Sequence, residues 1–125
     1  VSTGPALVSI LRQGSTLVAS IHTALDDTEM VRFRGDLVRQ IGVHRASGVI
    51  IDVAALDVLD SFATRALRDI TEMARLRGAR VVVVGVQPDV AYAMAQLGMG
   101  VGQLTTALDL EDGLARLAEG PDRLR

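Results

Sequence analysis

The sequence predicts an α/β fold: a mainly parallel central sheet with an N-terminal β-hairpin and helices packed on it. Three observations predict it. Two short β-like runs flank a Gly-Ser turn at the start of the chain. After Ile21, helical and strand periodicities alternate, as they do in parallel sheets joined by crossover helices. Two of the later runs, "VIIDV" at 49–53 and "VVVV" at 81–84, are apolar almost throughout, the pattern of strands covered on both faces. The 125 residues suit one domain with one core, and 49% of them are hydrophobic.

Taken in order, Ala6 to Arg12 and Thr16 to Ile21 read as the hairpin strands, with Gly14 and Ser15 supplying the turn. Met30, Phe33, Leu37, Ile41 and Val43 then recur at helical spacing, and either Asp26 or Asp27 suits the N-cap. Val49 to Val53 is the first buried strand. Ser61 to Arg77 reads as a helix with Phe62, Ala66, Ile70, Met73 and Leu76 facing inward, closed by Gly78. Ala79 to Gly85 is the clearest strand. Gln87-Pro88-Asp89 opens a third helix that ends at Gly98, and the glycines of 98–102 read as a loop. Gln103 to Ala107 is a short edge strand, a last helix is capped by Asp109, and the tail 121–125 frays. The expected order is ββαβαβαβα.

Composition excludes several classes of function. Aromatics are 2% of the chain and the net charge is −2 without a basic run, so neither base stacking nor phosphate-backbone binding is expected. All thirteen basic residues are arginine, which reads as a coding bias. Without cysteine there is no disulfide framework, thiolate zinc site or cysteine nucleophile. No apolar run reaches the ~18 residues that span a bilayer, and no secretory signal is visible, so the cytoplasm is the expected location.

Catalytic constellations are equally absent. A serine hydrolase needs a base beside its hydroxyl, and the two histidines, His22 and His44, end the hairpin and the first helix. Neither is expected at the carboxyl edge of the central strands, and G-x-S-x-G does not occur. No phosphate-binding glycine loop precedes a helix. Asp52, Asp57 and Asp60 could in principle hold Mg²⁺ at a strand end, but neither a phosphate-cradling loop nor a lysine to bind a phosphate accompanies them. No catalytic residue, metal or cofactor is therefore expected.

One stretch asks for an explanation: "IIDVAALDVLDSFATRAL" sets a lone hydroxyl, Ser61, at a helix entrance among carboxylates. Serine and aspartate are both favoured helix caps, typically worth about 1 kcal/mol over alanine, so Asp60 and Ser61 compete for that position. A hydroxyl at such a place can also accept a phosphoryl group, adding about −1.5 to −2 charges at neutral pH. The residues leave both readings open.

The segment from Ile51 to Gly98 resembles the core of a STAS domain, the fold of anti-sigma factor antagonists, and the resemblance extends from about residue 7 to 117, which implies a single STAS domain over 1–125. The resemblance rests on the strand ending in Asp52, on Asp60-Ser61-Phe62 at a helix start, and on "VVGVQP" at 83–88. "TALDLEDGL" at 106–114 narrows it to the RsbS type, the single-domain scaffold of the bacterial stressosome. What the resemblance implies is a non-catalytic scaffold and switch. Ser61 would be phosphorylated by a switch serine/threonine kinase that the unmodified scaffold, with a larger STAS-containing co-scaffold, holds in a large complex. Phosphorylation would release that kinase. Asp57, Asp60, Ser61 and Phe62, with Arg65 beside them, would form the partner-binding surface, and self-association is expected. The third helix carries no Ser or Thr, which favours RsbS over the co-scaffold, and the RsbS type implies no preceding sensor domain. The alternative is a free-standing STAS antagonist that binds an anti-sigma kinase directly.

Overall fold

The computed structural model describes residues 7–96 and 104–119. Among these residues nine elements follow in the expected order: β1 (Val8–Gln13), β2 (Thr16–Ile21), α1 (Asp27–His44), β3 (Gly48–Asp52), α2 (Ser61–Leu76), β4 (Arg80–Val84), α3 (Pro88–Gln96), β5 (Thr106–Ala107) and α4 (Leu110–Glu119). They build one five-stranded sheet in the order β1-β2-β3-β4-β5. Only β1 and β2 run antiparallel; β2, β3, β4 and β5 are parallel neighbours. Val49 sits opposite Val81 and Ile51 opposite Val83, so the two apolar runs are adjacent central strands. Gly14, at φ 62°, makes the hairpin turn possible, and Ser15 follows at negative φ, the pattern of a type II′ turn.

The period of two along each strand divides the core. Leu17, Ala19, Val49, Ile51, Val81 and Val83 face α1, α2 and α3. Ile50, Val82 and Val84 face the other way and meet Leu114 and Leu117 of α4. The α4 helix lies close against the sheet because residue 113 is glycine: a Cβ there would stand 2.7 Å from Val84 Cγ1.

Asp26, not Asp27, caps α1, in a reciprocal box. Its Oδ1 accepts the Glu29 N–H at 2.7 Å, and the Glu29 carboxylate accepts the Asp26 N–H at 2.8 Å. The inward stripe of α1 is Met30, Phe33, Leu37 and Ile41. Val43 does not belong to it and is 64% exposed, because two positions past Ile41 is nearly the opposite side of a helix. The α2 stripe differs more. Ala63, Thr64, Ala66, Leu67, Ile70 and Ala74 are buried, whereas Met73 and Leu76 are exposed, Leu76 by 79%. Leu67 and Ile70 anchor the inner face, and the small residues around them let α2 approach α1 and the sheet closely. Asp109 caps α4 as expected, accepting the Asp112 N–H at 2.9 Å. Gly98, the glycine loop, Gln103 and the tail 121–125 lie outside the described residues.

Candidate functional site

At the carboxyl end of β3 the chain leaves the sheet through a loop with two buried anchors. Asp52 Oδ1 accepts the Ala54 N–H at 2.9 Å and turns the backbone as the strand ends. Leu56 and Leu59 are buried, which holds the loop down and leaves Asp57 and Val58 between them exposed. The neighbouring β4–α3 connection supports it. Gln87 Nε2 donates to the Ala54 carbonyl at 2.8 Å. Gly85, at φ 82°, lies so close to Ala54 that a Cβ would stand 2.8 Å from the Ala54 Cβ and 3.0 Å from its backbone nitrogen.

Asp60 ends the loop with extended dihedrals, φ −78° and ψ 178°, and its Oδ1 accepts the Ala63 N–H at 2.8 Å. Asp60 is therefore the N-cap, and Ser61 is the first residue inside the helix. Of the two candidate caps, Asp60 holds the position and Ser61 does not: the Ala63 N–H is met by the residue before Ser61. Thr64, 1% exposed, donates its hydroxyl to the Asp60 carbonyl at 2.9 Å. The Ser61 hydroxyl is half-buried and makes no such bond among the described residues.

The other expected residues lie near it along the chain. Asp57 and Asp60 are exposed on the loop, and Arg65 is exposed one turn along α2 on the Ser61 side. Phe62 is half-buried and packs on the core. The electrostatics of the helix start are distinctive. The first turns of α1, α3 and α4 carry Asp27 and Glu29, Asp89, and Glu111 and Asp112 respectively, whereas the first turn of α2 carries no acid. The connections 22–26, 53–60 and 85–87 contain Asp26, Asp57 and Asp60 and no arginine, so this edge of the sheet is acidic overall.

His22 requires a correction. Because β2 runs parallel to β3, with Ser20 opposite Asp52, His22 does lie at the carboxyl edge of the sheet. Its Nε2 is 3.0 Å from Ser9 Oγ, and no hydrogen bond joins it to Ser61. No group of His, Asp and Glu among the described residues is placed to hold a metal ion. No helix among them is long and apolar enough to cross a membrane. The sequence reading missed Gly85 and Gln87 as the supports of the loop; a glycine directly after the four valines of 81–84 was the available signal.

Comparison with known proteins identifies the family. The family model of the STAS domain matches residues 8–112. RsbRA of Bacillus subtilis (strain 168), an RsbT co-antagonist protein, is 30% identical over 98 residues, 78% of this chain and 36% of that protein. The chain thus spans about a third of that relative's length. A solved RsbS of Moorella thermoacetica, in a serine-to-glutamate variant, is 33% identical with a TM-score of 0.79, covering 91% of this chain and 97% of that one. A chain from a structure of the stressosome, described as a signal integration and transduction hub, is 31% identical with a TM-score of 0.72, covering 89% and 96%. The chain belongs to the STAS domain family and resembles the stressosome proteins of the RsbS type within it.

Proposed function

We propose that this chain is a non-catalytic scaffold and switch of a stressosome-like assembly. It holds a serine/threonine switch kinase through the Ser61 edge and releases it when Ser61 is phosphorylated. The observation that carries the reading is the state of the hydroxyls at the start of α2. Thr64 is buried and its hydroxyl donates to Asp60, whereas Ser61 is reachable, unengaged, and stands in the one described helix whose first turn lacks an acid. A phosphate there meets a favourable helix dipole worth about 0.3 to 1 kcal/mol, so the fold tolerates it. It also meets Asp57 and Asp60, so the surface gains about two negative charges where it is already acidic.

Asp57, Asp60, Phe62 and Arg65 are the proposed docking residues beside Ser61. A kinase that accepts the neutral hydroxyl against this edge is repelled once the charge is added, which is a switch of binding and needs no chemistry from the scaffold. The likeness to stressosome chains supports a larger STAS co-scaffold as second partner, self-association, a single-domain organisation and a cytoplasmic location. The reading assigns the protein no enzymatic activity, nucleic-acid partner or membrane partner of its own. A free-standing antagonist that binds an anti-sigma kinase directly is the alternative.

The test incubates wild type, Ser61→Ala and Ser61→Asp with the cognate kinase and ATP. Phosphate is mapped by mass spectrometry, kinase retention is measured by pull-down, and the assembly is weighed by native mass spectrometry with the co-scaffold. Phosphate on Ser61 alone, permanent retention by Ser61→Ala and weak retention by Ser61→Asp support the switch. Equal retention by all three overturns it. A kinase complex that never exceeds a small oligomer with the co-scaffold present favours the free-standing antagonist.

A further inference from the structure

Among the described residues no strand pairs with the outer edge of β1, and that edge is complementary to itself. β1 is the terminal strand, six residues long, whereas the opposite edge, β5, has two. Exposed edges of this length are normally blunted by charge, proline or a bulge, because their unpaired N–H and C=O groups pair readily with another strand. Here the six residues are "VSILRQ", with one charge near the end and an unbroken one-to-one register with β2.

The outward groups can be assigned. The His22 N–H donates to the Leu7 carbonyl at 2.8 Å, so Leu7 and His22 form a hydrogen-bonded pair. By the alternation of an antiparallel ladder, Ser9, Leu11 and Gln13 also turn their backbone groups toward β2. Val8, Ile10 and Arg12 therefore turn theirs outward. Ile10 is the centre of that set. A second β1 laid antiparallel about a twofold axis at Ile10 would pair Ile10 with its own copy and Val8 with Arg12 of the other chain. All the outward groups of both strands would be met, by about six hydrogen bonds.

The side chains agree with such a seam. Val8 and Ile10 are only partly buried, on the face that carries α1, and they border an open groove of about 540 Å³ with Leu25 and Phe33 in its wall. A neighbouring strand would bring a second Val8 and Ile10 onto that apolar wall. On the other face Leu11, 66% exposed beside Val18, would be covered in part by Ser9 of the second copy. The groove rim carries both signs, Arg32 with Glu29 and Asp36, as a self-complementary contact requires.

We infer that β1 is a homodimer seam: two copies of this chain join through antiparallel β1 strands centred on Ile10, giving one sheet continuous across both. The inference rests on the scaffold reading for its use, since it names the surface of the proposed self-association. It leaves the Ser61 edge free, because that edge lies at the carboxyl ends of the strands and the seam runs along their length.

The chain has no cysteine, so one introduced thiol reports its own surroundings. Paired residues of this type lie about 5.5 Å apart at Cα, within the range a disulfide spans. Ile10→Cys under mild oxidation should give a covalent dimer, at least tenfold faster than Val43→Cys, which is exposed at the end of α1. Ile10→Lys should keep the far-UV circular dichroism of the wild type and weaken dimerisation at least tenfold in sedimentation. A wild type that stays monomeric at high concentration, equal oxidation at both positions, or an undiminished dimer in a folded Ile10→Lys would each overturn the inference. Kinase retention and Ser61 phosphorylation measured on Ile10→Lys separate the two readings: a monomer that still binds and releases kinase leaves the switch standing without the seam.

Discussion

The carboxylate of Asp60 accepts the backbone N–H of Ala63 at 2.8 Å, and this bond frees Ser61 from structural duty at the start of α2. A serine that capped the helix would have its oxygen engaged and its loss would weaken the fold. Here the two tasks fall on adjacent residues, so the cap and the proposed switch can be changed separately.

Asp60→Ala should lower stability by about 1 kcal/mol, within the usual range of about 0.5 to 2 for an N-cap. Ser61→Ala should change it by less than about 0.5 kcal/mol, since alanine is the better helix former and no bond is lost. Urea unfolding of both variants checks this. A larger loss for Ser61→Ala than for Asp60→Ala would return the capping task to the serine.

Thr64 should not stand in for Ser61. Its hydroxyl is buried and donates to the Asp60 carbonyl, so the kinase should place no phosphate there even in Ser61→Ala. Thr64→Val should cost about 0.5 to 1.5 kcal/mol, because the Asp60 carbonyl keeps the Thr64 N–H as a second donor. Phosphosite mapping and urea unfolding are the measurements.

Gly85→Ala should be among the most damaging small substitutions. The left-handed backbone alone costs a side-chain-bearing residue about 1 to 2 kcal/mol, and the new methyl meets the backbone of Ala54 as well. Ala54→Gly on that background should recover only part of the loss, since it removes the facing Cβ and leaves the dihedral strain. A double-mutant cycle measures the division. Kinase retention should fall in Gly85→Ala, because the Asp57 loop is displaced.

For Gly113→Ala, two effects oppose. Alanine gains up to about 1 kcal/mol of helix propensity. The added methyl stands 2.7 Å from Val84 Cγ1 and 3.1 Å from Ile50 Cδ1, both in side chains with no exposed surface and no room to move. Overpacking of this kind costs about 1 to 3 kcal/mol, so net destabilisation is expected. A stabilised variant in thermal unfolding would show that α4 can shift outward freely.

The order of elements, the hairpin and the adjacency of the two apolar strands were all legible in the sequence. Strand burial leaves a local mark: Val49 to Ile51 and Val81 to Val84 are apolar because both faces of the sheet are covered. Helix starts were legible for a similar reason, since Asp26 and Asp109 act on N–H groups within three residues of themselves. The acidic loop around Ser61 could likewise be read, because its residues are neighbours along the chain.

What only the tertiary structure decided is which surfaces meet. The inner face of α2 is set by how near α1 and the sheet approach, so alanines and Thr64 are buried while Leu76 is left in solvent. Periodicity alone places Phe62, Ala66 and Ile70 correctly but also turns Met73 and Leu76 inward, where the structure has Leu67 and Ala74 instead. His22 reached the carboxyl edge only because β2 pairs parallel to β3, a choice made 30 residues further along the chain. The contact between Gly85 and Ala54, and the open outer edge of β1, depend on strand order. Local sequence carries dihedral preference and polarity, but which strand lies beside which is settled by burial summed over the whole sheet.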